Sequence, residues 1–278
     1  MFRVVQTYQA DQLAIVETGI DWRNVPPQDG LYQRTRKAQS PIKVAHAHNT
    51  TDKENLNKTK WQPGGTLMCA LKEHVPRVVD SSSDPEALGR WVSQVIEGKG
   101  AHHTRFVAAY KPCVNTGGNN TVYVQHQQHY RQQESDKEPV QAFLQDLKAA
   151  IQQWQASQER IIIYMDANED VRQGPVADMF HSLGMKEQIT SKHGPVSCPP
   201  ATQDRNTQGK PIDGIWTNFD CADIRCGYMP FQEGLPGDHR DCWIDIPAQV
   251  LYGYNPAHLH TLHPPSLTTQ DPRIRKRY

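Results

Sequence analysis

The chain of 278 residues has room for one large domain or two small ones, and 37% hydrophobic content with 20 prolines points to a modest core and long loops. Its 30 basic residues balance 30 acidic ones, so total charge argues neither for nor against a polyanionic partner, which depends on local patches. No run approaches the roughly 20 apolar residues of a membrane span, which excludes a membrane partner at this level. No signal peptide stands at the start, and the six cysteines (Cys69, Cys113, Cys198, Cys221, Cys226, Cys242) contain no CxxC. Dispersed thiols of this kind argue against a zinc site and for an intracellular protein, a nuclear one included.

In chain order, Val4, Val5 and Tyr8 have helical spacing, and Leu13–Val16 forms a short buried strand with Glu17 at its carboxyl end. Residues 23–63 are polar; Arg34, Arg36, Lys37, Lys43, Lys53, Lys58 and Lys60 outnumber the acids there, as in a solvated loop or a phosphate-tracking surface. Gly64-Gly65 leads into a strand, Thr66–Ala70, and Ser81–Pro85 reads as a loop. Arg90–Ile96 and Arg105–Tyr110 flank a turn at Gly98–His103, as in a hairpin, although Trp91–Ile96 also fits a helix.

After the Gly/Asn loop Asn115–Asn120 two helices follow. The second carries Leu144, Leu147, Ile151 and Trp154 as an apolar stripe that serves packing. Ile161–Met165 is a buried strand ending abruptly in Asp166-Ala-Asn168-Glu169-Asp170, of which Glu169 and Asp170 are expected to face solvent. Pro175 opens a helix with Val176, Met179, Phe180 and Leu183 inward, stopped by Gly184; residues 186–210 read as loop. Ile212–Thr217 and Cys242–Ile246 are the final strands, with Gly234–Arg240 between them. Alternating strands and helices place residues 1–247 in the α/β class, and residues 248–278 read as an irregular tail ending in Arg273, Arg275, Lys276 and Arg277. His102, His103, His258, His260 and His263 lie in turns or in this tail and read as surface groups. Trp61, Trp91 and Trp216 suit base stacking, but buried packing is the commoner fate of tryptophan.

Polar residues recur at strand ends: Glu17, Tyr110, Asp166 with Asn168, and Asp238-His239. In open α/β sheets chemistry sits beyond such ends. Asp213, inside an apolar strand, needs a partner, and His239 is the attractive one, because a carboxylate can fix the tautomer and orientation of a histidine.

Taken in order, Glu17-Thr18, Gly64-Gly65-Thr66, Ala109-Tyr110-x-Pro112-Cys113, Met165-Asp166-Ala167-Asn168-Glu169, Ile212-Asp213-Gly214-Ile215-Trp216 and Gly237-Asp238-His239-Arg240 resemble the endonuclease/exonuclease/phosphatase superfamily over Leu13 to Ile246. The resemblance implies a DNase I-like four-layer α/β sandwich, two mixed β-sheets face to face with helices outside. It implies Glu17 as ligand of Mg²⁺ or Mn²⁺ and Asp238 as a further acid near the metal. Asp166 would orient or deprotonate the attacking water, and Asn168 would contact the scissile phosphate. His239, paired with Asp213, would stabilise the pentacovalent phosphate, with the Tyr110 hydroxyl nearby. A chain of this kind is expected to nick DNA, a small-molecule or lipid phosphatase and an inactive remnant being the rivals.

Two departures stand out. The superfamily opens with a strand bearing an asparagine, and none precedes Glu17, so Met1 reads as an internal methionine of a longer protein. Gly237 stands where serine is usual. Gly64-Gly65-Thr66, Gly89-Arg90-Trp91 and Tyr110-x-Pro112-Cys113 look most like retroelement endonuclease domains, and Asp271–Tyr278 resembles a linker onward to a reverse transcriptase.

Overall fold

The computed structural model describes residues 9–30, 33, 41–51, 61–118, 120–192, 201–204 and 209–254. Its central strand is β7 (Arg160–Asp166), in which Ile161, Ile162 and Ile163 are fully buried. Consecutive β-branched residues suit a strand covered on both faces. β7 pairs in parallel with β6 (His103–Tyr110) and antiparallel with β9 (Asp213–Thr217). The parallel step needs a long crossover, which α1 (Val122–Gln132) and α2 (Pro139–Ala156) supply. With β4 (Val78–Ser83), β5 (Trp91–Glu97) and β8 (Lys186–Glu187) the sheet has the order β4-β5-β6-β7-β9-β8.

Both helices begin where their sequence says they should. The Thr121 hydroxyl accepts from Val124 N–H at 3.2 Å, and the Glu138 carboxylate from Gln141 N–H at 2.8 Å, each satisfying an orphan first-turn donor. The stripe Leu144, Leu147, Ile151 and Trp154 is buried against one face of the sheet, together with Val176, Met179 and Phe180 of α3 (Pro175–Ser182). The sheet's other face packs on two smaller antiparallel sheets. One is β1 (Gln12–Val16), β3 (Thr66–Leu71) and β2 (Ile42–Ala47) in the order β1-β3-β2; the other is the pair β10 (Arg225–Tyr228) and β11 (Cys242–Asp245). Met68, Ile96, Phe106 and Ile215 lie in the layer between them, and helices lie outside, as the two-sheet sandwich requires.

Several elements differ from the sequence reading, and weak patterning accounts for them. β2 lies within the polar segment 23–63, its pattern broken by Lys43 and His46. Lys43 there donates to Val78 C=O at 2.8 Å, while Arg34, Arg36, Lys37, Lys53, Lys58 and Lys60 lie outside the described residues, as do Val4, Val5 and Tyr8. Ser81–Ser83 belongs to the edge strand β4, whose exposed serines gave no apolar signal. β8 falls in the segment read as loop, and β10 was not anticipated. α4 (Ala248–Tyr252) keeps the chain in the core to Tyr252, with Leu251 and Tyr252 buried.

Among the described residues no helix is long and apolar enough to cross a membrane, and the five described cysteines are free.

Gly89-Arg90-Trp91 has a structural explanation. The Arg90 side chain, fully buried, reaches Asp84 at 2.7 Å through two nitrogens and Asp146 at 2.9 Å, while Asp84 also accepts from Leu88 and Arg90 N–H. Removing one partner of such a pair strands the other in low dielectric. Asp84→Ala is therefore expected to cost about 3–5 kcal/mol. Urea denaturation tests this; a loss under about 1 kcal/mol would show that the pair is not structural.

Candidate active site at the strand ends

Three of the expected residues stand in one row. Tyr110 of β6 is in register with Asp166 of β7, and Asp166 with Asp213 of β9. Residues opposed across adjacent strands share a face, so the phenol and both carboxylates project to the same side. Asp166 is 2% exposed and Asp213 8%. His239, from the loop before β11, closes the group: its Nδ1 lies 2.8 Å from Asp213 Oδ2. The candidate ligand atoms of Asp166, Asp213 and His239 all lie within 4.8 Å of one another.

The electrostatics follow from this crowding. Burial raises the Asp166 carboxyl well above the ordinary carboxylate range and the charge of Asp213 raises it further, against the lowering effect of His239. For His239, burial alone would lower the imidazole; the hydrogen bond and charge of Asp213, with Asp166 behind, outweigh it and bring the value up to about 9. The ring is thus an imidazolium at neutral pH, with Nδ1–H committed to Asp213 and Nε2–H left to donate. Burial also raises Tyr110, as do the charge of Glu17 and its hydrogen bond with the phenol, so Tyr110 is a neutral donor that holds Glu17.

Glu17 itself has φ +51°, a left-handed conformation unusual for a non-glycine residue. The turn beyond it is held by Thr18 N–H to Gly65 C=O (3.1 Å) and Gly19 N–H to Gly64 C=O (3.0 Å). Gly65, at φ +89°, has no space for a side chain: a Cβ would fall 2.6 Å from Thr18 Oγ1. Gly-Gly-Thr therefore shapes the seat of Glu17. Asn168 is also left-handed (φ +48°), which asparagine tolerates; its N–H donates to Asp166 Oδ1 at 2.9 Å and its Nδ2 to Lys111 C=O at 2.8 Å.

The structure corrects the expectation for Glu169 and Asp170. Asp170 is buried and pairs with Arg172 at 2.7 Å; Glu169 is ion-paired with Lys111 at 3.1 Å and accepts from Val176 N–H, capping α3. Lys111 is a residue that sequence reasoning passed over. Its side chain is buried, its N–H donates to Asp166 C=O at 3.0 Å, and its signal was a lysine directly after a strand-end tyrosine. Thr202, whose hydroxyl accepts from Ile212 and Asp213 N–H, was missed too. Asp238 stands apart from the tight trio: its carboxylate accepts from Gln203 Nε2 at 3.3 Å. Trp91 and Trp216 are core residues, whereas Trp61 is half exposed and bridges to Ile20, three residues beyond Glu17. His102 contacts Val250 C=O at 3.0 Å and belongs to no metal-like cluster among the described residues.

Glu17, Asp166, Asp213 and Asp238 line a single groove of about 1100 Å³. An oxygen-rich carboxylate set with one member driven upward by its like-charged neighbour fits a hard divalent cation such as Mg²⁺.

No protein-family profile matches the chain, and no curated protein matches it in sequence. Solved structures do match. The catalytic domain of APE2 from Xenopus laevis aligns at TM-score 0.57, with 11% identity over 87% of each chain. The 3′ phosphatase NExo from Neisseria, solved with a product DNA hairpin, aligns at 0.54 and 12% identity over 88% of this chain and 94% of that one. The catalytic domain of human Nocturnin, solved with bound sulfate, aligns at 0.53 and 17% identity over 87% and 83%. An endonuclease/exonuclease/phosphatase family protein from Leptotrichia buccalis aligns at 0.51 and 13% identity. The fold is that of the endonuclease/exonuclease/phosphatase proteins. At these identities the DNase I-like fold is what is shared, and activity has to be argued from the site.

Because the His239 value in the folded chain lies above the ordinary 6.5, its charged form stabilises the fold fully below about 6.5, and that contribution is lost as pH rises through about 9. Asp213→Asn removes the chief raising influence. NMR titration of His239 should move well below 9 in that variant; an unmoved titration would show that Asp213 does not set its charge.

Proposed function

We propose that the chain is a divalent-cation-dependent phosphodiester hydrolase that nicks DNA. The observation that supports this reading is the row Tyr110–Asp166–Asp213 with His239 bound to Asp213, of which Asp166, Asp213 and His239 line one groove with Glu17 and Asp238. Asp166, held above its ordinary range, suits a general base working near neutral pH on a water molecule. The His239 Nε2–H is oriented to donate to a phosphoryl oxygen as charge develops there, and the second N–H of the Asn168 amide is left to do the same. Tyr110 positions Glu17 by donating to it. Glu17 and Asp238, which both line the groove, are the residues that would hold Mg²⁺ or Mn²⁺. A bound cation supplies neutralisation of negative charge on the phosphate.

The finer reading places the chain in a retroelement polyprotein, with residues upstream of Met1 and a reverse transcriptase downstream. Its support is the motif set Gly64-Gly65-Thr66, Gly89-Arg90-Trp91 and Tyr110-x-Pro112-Cys113 and the basic end Arg273–Arg277.

The test is nicking of supercoiled plasmid at low salt with Mg²⁺ or EDTA. Nicking should need the cation and fall by about 10²–10³-fold in His239→Ala. Rate should also drop steeply with salt, because DNA contacts release counterions. Metal-dependent release of phosphate from small phosphomonoesters without plasmid nicking would favour a phosphatase instead.

A further inference from the structure

Glu17 stands just beyond the last rung of its ladder. The pairing of β1 with β3 ends at Val16 opposite Thr66, and that of β2 with β3 ends at Ala47 opposite the same residue. From Glu17 and from His48 onward the strand registers no longer fix the backbone. The Glu17 turn is held instead by the segment that leads into β3. Thr18 N–H and Gly19 N–H donate to the carbonyls of Gly65 and Gly64, and Gln62 N–H donates back to Gly19 C=O at 3.1 Å, with Ile20 and Trp61 bridged beside them. The placement of the Glu17 carboxylate therefore depends on what holds residues 61–65.

Four polar side chains do so. Asn49, Thr51, Gln62 and Gln125 are all buried, and all lie outside the groove lining. They meet at one atom, Oε1 of Gln125 on α1. Asn49 Nδ2 donates to it at 2.7 Å and Gln62 Nε2 at 3.1 Å, while the Thr51 hydroxyl is within reach of that oxygen (3.0 Å) and of Asn49 Oδ1 (2.8 Å). Asn49 Oδ1 also accepts from Thr51 N–H at 3.1 Å, and Gln62 Nε2 reaches Thr51 C=O at 3.2 Å. The end of β2, the lead into β3 and the start of α1 are tied together here. Gly89 closes the contact: at φ +73°, it leaves no room for a Cβ, which would fall 2.6 Å from Asn49 N and 3.2 Å from Gly65 Cα. Arg90 C=O, next along, accepts from Tyr110 N–H at 2.8 Å, so the same corner supports the phenol that bonds Glu17. Burying four polar side chains costs desolvation, and apolar residues of similar volume would fill the space without that cost. What directional bonds add is a single placement for irregular backbone.

We propose that Gln125 is a positioning residue for Glu17: through Gln62 and Asn49 its amide oxygen holds the segment on which the Glu17 turn rests, and so sets where that carboxylate stands in the groove. Where the carboxylate meets a cation, the proposal rests on the hydrolase reading; the mechanical link from α1 to the turn does not. Gln125 itself touches neither cation nor substrate. Without its Oε1, Asn49 Nδ2 and Gln62 Nε2 lose their shared acceptor in a dry interior. Relaxation that returns those donors to water moves Gly64 and Gly65, and with them the hydrogen bonds that seat Thr18 and Gly19.

Hydrogen–deuterium exchange resolved to single amides, on the metal-free protein, and calorimetric titration with Mg²⁺ test it together, in Gln125→Leu beside Gln94→Leu. Gln94 is a buried glutamine whose Nε2 donates to Lys43 C=O at 3.2 Å, near the start of β2 and away from the Glu17 turn, so it controls for general loss of stability. Gln125→Leu should speed exchange of the Thr18 and Gly19 amides by about 10-fold or more while Phe106 and Val107 in the large sheet keep their protection. Its Mg²⁺ affinity should fall about 10-fold, as when a group that orients a metal ligand from outside is removed. Gln94→Leu should do neither. Gln62→Leu removes the link but leaves Gln125 in place; it should loosen the same two amides, with little further effect when combined with Gln125→Leu, and it decides the matter if Gln125→Leu does not fold. Unchanged exchange of Thr18 and Gly19 in the folded variants, or equal loosening in Gln94→Leu, overturns the proposal. So does unchanged Mg²⁺ affinity in Gln125→Leu where the native chain binds the ion. A native chain that binds no Mg²⁺ overturns the hydrolase reading instead, and the two amides then decide the positioning role.

Discussion

Placing two carboxylates side by side in a buried sheet is costly, and the rest of the site answers that cost. Asp166 and Asp213 are opposed across β7 and β9 at the level where β7 ends and β9 begins, with Tyr110 alongside on β6. Neither can move without breaking the ladder that positions it. Asp213 is satisfied by His239, by Thr202 at its N–H and by the Tyr228 hydroxyl at its C=O (2.9 Å). Among the described residues the Asp166 carboxylate receives the Asn168 N–H, and its pKa stays high. A sheet that stores one compensated and one uncompensated acid has separated their roles: one fixes the histidine, the other is left to exchange a proton or meet a cation.

The neighbouring residues make sense as supports for that row. Lys111 follows Tyr110, bonds to the Asp166 backbone, holds Asn168 through its C=O and reaches Glu169, which in turn caps α3. The left-handed turns at Glu17 and Asn168 follow strands of two different sheets; Glu17 lines the groove, and Asn168 donates to the Asp166 carboxylate that lines it too. Such strain persists where surrounding hydrogen bonds over-determine it, and the Gly64-Gly65 seat does that for Glu17.

Much of this was legible in the chain. Ile161–Met165 followed by Asp166 is a strand signal with a chemical ending, and the α2 stripe has one clear period. Asp213 between apolar neighbours announced a buried charge, and a histidine was its natural partner. What was not legible shares a physical cause. β2, β4 and β10 are strands whose side chains are in part polar or exposed, so alternation fails where tertiary pairing alone makes the strand. Glu169 and Asp170 resembled any solvated turn, because ion pairs to Lys111 and Arg172 depend on side-chain geometry beyond sequence patterning. Lys111 was hidden for the same reason: a lysine after a strand reads as surface until its partners are seen.

Burial and the charge of Asp213 favour the proton on Asp166, and a divalent cation bound in the same groove would compete with that proton. Calorimetric titration of the folded protein with Mg²⁺ or Mn²⁺ near neutral pH, repeated in buffers of different ionisation enthalpy, counts protons released on binding. The account requires saturable binding with proton release that disappears in Asp166→Asn. Binding with no proton release, or release unchanged in Asp166→Asn, would contradict it.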